Sequence, residues 1–193
     1  MSTGKGRLEV ICGSMFSGKS EELIRRLKRA QWAQQKVIAI KHIFDDSRTT
    51  AEFVVSHNGS KLAAFSLENA HGLAHTIPAN TNVVGIDEVQ FFTADIVNVI
   101  CQLVDKGIRV IAAGLDLDFR GQPFGCMPTL MAIADDVTKL KAICICCGAD
   151  AHYSQRLVNG NPAKYNDPVV MVGAQEAYQP RCRNCHQIDQ QPF

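Results

Sequence analysis

Two glycines, a lysine and a hydroxyl stand at the spacing G-x-x-x-x-G-K-[ST] in Gly13-Ser14-Met15-Phe16-Ser17-Gly18-Lys19-Ser20. This spacing suits the phosphates of a nucleoside triphosphate. Glycines let the backbone approach the ligand, whose charge is met by successive N–H groups and the positive end of a following helix. Lys19 is placed to reach the β- and γ-phosphates, and the Ser20 hydroxyl to sit on Mg²⁺. A second chemical cluster is Asp87-Glu88-Val89-Gln90, two acids closing an apolar run. Asp87 would orient the Mg²⁺ shell, while Glu88, one residue on, points elsewhere and could take a proton from an attacking hydroxyl or water. The third cluster is sulfur. Cys144-x-x-Cys147 and Cys182-x-x-Cys185 are two thiolate knuckles, the pattern of a closed, tetrahedral four-cysteine Zn²⁺ site with a long insertion between its halves. Cys146 offers an alternative first ligand, and His186 could substitute for Cys185. Cys12, Cys101 and Cys126 are scattered and read as small core residues.

These groups need a scaffold, and the apolar pattern supplies one. Residues 8–12 form a short β-branched run before the glycine loop, and residues 21–30 follow it with Leu23, Leu27 and Ala30 on one helical face. Strand, loop and helix are in the required order. Further strands are expected at 37–41, 82–86 and 108–114, and helices at 68–75 and 93–106. Asn58-Gly59 marks a hairpin between 53–57 and 61–65. Strands alternating with helices indicate a three-layer α/β domain with a mainly parallel sheet and its phosphate loops at the carboxyl ends of the strands. The loop 115–125 mixes acids, an arginine, aromatics and glycines, as ligand-facing loops often do. After it, the turn Asn159-Gly160-Asn161-Pro162 and a strand-like run at 169–173 fall between the knuckles. The expected division is a nucleotide-binding domain over 1–142 and a zinc-ribbon domain over 143–193.

Composition narrows the setting. The 193 residues are 46% hydrophobic and 20% charged, with net charge +1. That describes an ordinary globular chain and gives no electrostatic reason to expect nucleic acid or a membrane as partner. No apolar run approaches spanning length and the first residues are polar, so a cytoplasmic location is expected. A nucleic-acid motor would share the glycine loop, with Glu88 activating water, but the last third shows no basic run. A zinc-ribbon binding module would have no use for Lys19, Ser20, Asp87 and Glu88 together.

Taken in order, the glycine loop, Asp87-Glu88-x-Gln90-Phe91-Phe92, the 115–125 loop, Cys144-x-x-Cys147-Gly148, Gln155-Arg156-Leu157 and Arg181-Cys182-Arg183-x-Cys185 closely resemble the type II thymidine kinases of bacteria and animal cytosol. The resemblance runs from about residue 9 to 186. It implies a RecA-like α/β domain with a zinc ribbon carrying a lasso loop over thymidine. It implies ATP, with Mg²⁺, as phosphoryl donor, with Gly13 to Ser20 and Asp87 to Gln90 at the nucleotide. Glu88 would be the general base on the 5′-hydroxyl of thymidine or deoxyuridine. Phe91, Phe119 and Tyr178 match aromatics around the nucleoside, and Leu115 and Phe124 line the same pocket. Backbone groups of Val169, Val170, Met171, Val172 and Gly173 would read the pyrimidine edge. Asp46 and Arg48 match a D-x-R segment near the phosphates, where Arg48 or Arg156 could add positive charge. Homotetramers, inhibition by dTTP and a role in deoxynucleotide salvage are implied as well.

Overall fold

The structure, a computed structural model, describes residues 6–43, 53–55, 59, 61–170 and 176–189. Its centre is a sheet of six parallel strands: β1 (Arg7–Cys12), β2 (Val37–His42), β5 (Phe65–Leu67), β6 (Val83–Asp87), β7 (Arg109–Gly114) and β8 (Asp136–Lys139), in the order β5-β2-β6-β7-β1-β8. Between the first two runs α1 (Lys19–Trp32), and then α2 (Ala70–Thr76), α3 (Ile96–Asp105) and α4 (Met127–Ile133), make the crossovers that parallel pairing requires. A short antiparallel hairpin, β3 (Phe53–Val55) with β4 (Lys61–Ala63), precedes β5.

The strands alternate strictly in which face they fill. Ile11, Ala39, Val83, Ile111 and Ala113 pack under Leu23, Leu27 and Ala30 of α1. Val10, Ile40, Val84, Ile86, Val110 and Ala112 pack on the other face against α2, α3 and α4. A sheet buried on both faces needs continuous apolar strands, and this is why four of the six were readable from sequence. Each fully buried Leu or Ile of this core contributes about 1.5–3 kcal/mol. Helix α3 begins later than the expected 93–106 and ends at Asp105, where Lys106 and Gly107 turn the chain.

Beyond the sheet lie small antiparallel units. The strands β9 (Ala142–Ile143) and β10 (Asp150–Ala151) pair, and β11 (Tyr153–Val158) lies between β12 (Asn161–Pro162) and β13 (Glu176–Arg181). Asn159 and Gly160 both have positive φ, 51° and 80°, and make the tight turn expected between β11 and β12. One expectation is corrected: Val169 and Val170 sit in a bend, not a strand, because the ladder to β11 is taken by β13 instead. Residues 171–173, Asp46 and Arg48 lie outside the described residues.

Candidate phosphate and nucleoside site

The glycine loop leaves the carboxyl end of β1 and runs into α1. Gly13 has φ 145°, and a Cβ there would collide with the Leu140 carbonyl. Gly18 caps α1 in the left-handed region at φ 87°, ψ 20°, a conformation glycine adopts without steric cost. The Lys19 ammonium donates to the Ser14 carbonyl at 2.8 Å and is almost fully buried. Burial lowers its pKa, against the opposing pull of Glu88, Asp87 and Asp116. Ser17 Oγ is buried with no hydrogen-bond partner among the described protein atoms. An orphaned hydroxyl and a buried cation beside a helix N-terminus suit a phosphate chain.

Strand β6 carries the acids to the same end of the sheet. Asp87 is buried and accepts from the Glu88 amide at 3.1 Å. Glu88 is half-buried and left-handed, φ 51°, ψ 41°, which is uncommon outside glycine. A short 3₁₀ turn, Val89–Phe91, follows. Within it Gln90 is buried: its Nε2 donates to Glu88 Oε2 at 2.5 Å, and its Oε1 accepts from the Leu115 amide at 3.1 Å.

The 115–125 loop is built around two buried acids. Asp118 accepts from the Arg120 and Gln122 amides at 2.8 and 3.0 Å and pairs with the Arg120 guanidinium at 2.6 Å. Asp116 pairs with Lys139 at 2.7 Å. This follows from strand register, since Cys12 stands opposite Gly114 on one side and Lys139 on the other. Phe124 meets Phe91 edge-on at 5.7 Å, and His42 lies 5.9 Å from Phe91. Phe119 is buried beneath the Arg156 guanidinium, 5.0 Å from its ring centre. Arg156 is itself fully buried on β11 and donates to the Pro168 carbonyl at 2.6 Å, just before Val169 and Val170. Tyr178, half-buried, stands opposite Arg156 in the β11–β13 ladder.

The sulfurs of Cys144, Cys147, Cys182 and Cys185 all lie within 4.8 Å of one another. Tetrahedral thiolates about 2.3 Å from a zinc ion would be ~3.8 Å apart, so these four residues fit that metal. Cys146 is exposed and its sulfur accepts from Arg181, while the His186 ring donates to the Phe119 carbonyl at 2.9 Å. Neither alternative ligand belongs to the cluster. Burial opposes the Cys144 thiolate, but hydrogen bonds from the backbone of Cys182, Cys146 and Cys147 outweigh it and bring its pKa down to about 6.

The model of a family described as thymidine kinase matches residues 6–186. The chain belongs to the thymidine kinase family. It is a kinase of thymidine that uses ATP, built on a mainly parallel sheet with a four-cysteine cluster compatible with zinc near its carboxyl end. Among the described residues no helix is long and apolar enough to cross a membrane. Several residues of this thymidine kinase site escaped the sequence reading. Asp116 and Lys139 meet only through strand pairing. Ser154 Oγ accepts from the Met15 amide at 2.9 Å, and Ser14 Oγ donates to the Ala151 carbonyl at 3.3 Å, which brings β11 and its neighbour to the glycine loop. The sole sequence signal for Ser154 was its place beside Gln155-Arg156-Leu157.

Proposed function

We propose that this thymidine kinase transfers the ATP γ-phosphoryl group to the 5′-hydroxyl of thymidine or deoxyuridine, giving the monophosphate and ADP. Glu88 takes the hydroxyl proton as the oxygen attacks γ-phosphorus and the bond to the β-phosphate oxygen breaks. Lys19 and the amides of residues 13–20 meet the charge of the phosphates. Ser20 and Asp87 would hold Mg²⁺, which when bound neutralises charge on the transferring group. Phe91, Leu115, Phe119, Phe124 and Tyr178 form the nucleoside walls, and the backbone of 169–173 reads the base. Further parts of this reading are two domains, 1–142 and 143–193, a homotetramer, restraint by dTTP, a cytoplasmic setting and a place in deoxynucleotide salvage. The observation that carries the chemistry is the gathering of buried Lys19, Asp87 and half-buried Glu88 at one end of the sheet.

The test concerns the base. Thymine and uracil offer a backbone the same pattern of two carbonyls and an N3 proton, whereas cytosine reverses it at N3 and the 4-position. A site of buried polar groups rejects a mismatch by about 10⁴–10⁵, and a missing methyl costs about 1–3 kcal/mol. Deoxyuridine is therefore expected to be usable and deoxycytidine nearly inert when kcat/KM is compared at fixed ATP. Deoxycytidine within tenfold of thymidine would overturn backbone reading of the base.

A further inference from the structure

We infer that Gln90 is the positioning residue for the Glu88 carboxylate, and that it ties the state of this base to the seat of the 115–125 loop. The inference rests on the reading of Glu88 as general base.

The assignment of the Gln90 amide follows from its partners. The Leu115 backbone can only donate here, so the Gln90 atom 3.1 Å from it is the carbonyl oxygen. The nitrogen must then face Glu88, where it donates at 2.5 Å to Oε2. One carboxylate oxygen of Glu88 is thus occupied from behind, and Oε1 is left as the proton acceptor.

The backbone explains why such a brace is needed. Glu88 sits in the left-handed region, where a residue with a side chain is held only by its surroundings. The Asp87 carboxylate fixes its amide and Gln90 fixes its side chain. Gln90 in turn has no freedom to swing away. A Cβ at Gly114 would strike its side chain and a Cβ at Gly125 its backbone carbonyl, so both ends of the loop close on it. With both amide groups engaged inside the protein and little surface exposed, the Gln90 side chain serves the base and not the nucleotide.

Gln90→Glu separates the two bonds. It keeps an acceptor for the Leu115 amide and removes the donor to Glu88, replacing it with a like charge. The expected result is a kcat reduced by roughly 10–100-fold, thymidine KM within about threefold, and an acidic limb of the kcat/KM profile moved to higher pH. Gln90→Met, apolar and of similar length, should lower kcat in the same way if the carboxylate variant folds poorly. Near-normal kcat and an unmoved acidic limb in both would overturn the inference. Glu88→Gln serves as the reference, expected to lose about 10²–10⁴ in kcat. In that background Gln90→Glu should cost little more, because the group it positions is already gone. Equal costs in both backgrounds would assign Gln90 a purely structural role and sink the proposal. Near-normal turnover of Glu88→Gln would instead remove the base reading itself.

Discussion

Glu9 is a buried acid with three arginines around it. Arg109 donates to it at 2.7 and 3.0 Å, Arg26 at 2.7 Å, and Arg7 lies at 3.1 Å. Burial alone would raise its pKa, but the hydrogen bonds from Arg109 and Arg26 outweigh it, and the pKa falls below the ordinary 4.5. The unfolded chain therefore takes up this proton at a higher pH than the folded one. The contribution is fully present above about pH 4.5 and is lost as pH falls through the lower folded value. Removing one member of a fully buried pair costs about 3–5 kcal/mol, and the partial exposure of Arg109 and Arg7 puts Glu9→Gln at or below the lower end. We expect its urea midpoint to drop at neutral pH and to change less on acidification than that of the wild type. Parallel acid slopes in the two proteins would show that Glu9 is not the group responsible. The network also marks where residue-level reading stops. Gly13, Gly18, Lys19 and Ser20 were legible because phosphate chemistry demands those types at that spacing. The Glu9–Arg109 and Asp116–Lys139 pairs were not, because only the registers of β1 with β7 and β8 bring them together.

Elements were legible in proportion to their burial. Strands β1, β2, β6 and β7 are apolar runs, and α1 and α3 show their inner faces at helical spacing. The edge strands β5 and β8 are short and half exposed; Asp136–Lys139 reads DVTK, and nothing in that pattern distinguishes a strand from a loop. The strand expected at 169–173 misleads for the opposite reason, since the run is apolar throughout, yet its described residues Val169 and Val170 hold a bend just after Pro168, whose carbonyl accepts from Arg156. The knuckles were legible in spacing and ambiguous in choice. Geometry separates the candidates: Cys144 joins the other three sulfurs, and Cys146 faces Arg181. Purified protein should accordingly carry about one zinc per chain. Cys147→Ser and Cys185→Ser should release it, and Cys146→Ser should retain it, as read by metal analysis of the purified variants. Zinc lost from Cys146→Ser but kept in Cys144→Ser would reverse the ligand choice.

At the scale of the molecule, the cysteine cluster and the glycine loop are linked through very few steps. The first knuckle lies between β9 and β10, the second follows β13, and β13 pairs along the whole of β11. Ser154 of β11 holds the Met15 amide, and the Ala151 carbonyl of β10 holds the Ser14 hydroxyl. A metal that fixes both knuckles would also fix the strands that grip residues 14 and 15, at the point where the backbone must be set for phosphate. Losing one such hydrogen bond costs about 0.5–1.5 kcal/mol, or roughly 2–10-fold in an equilibrium. Ser154→Ala is therefore expected to raise the KM for ATP by that factor while leaving thymidine KM within about twofold. Removal of zinc by chelation should raise the KM for ATP as well, and the two perturbations should not add, because groups in one network share their effect. The decisive measurement is the KM for ATP in wild type and Ser154→Ala, each with and without chelator, under conditions where both remain folded. If the fold-changes simply multiply, the metal does not act on the phosphate loop through Ser154, and the hold of the Ala151 carbonyl on the Ser14 hydroxyl is the direct tie that remains.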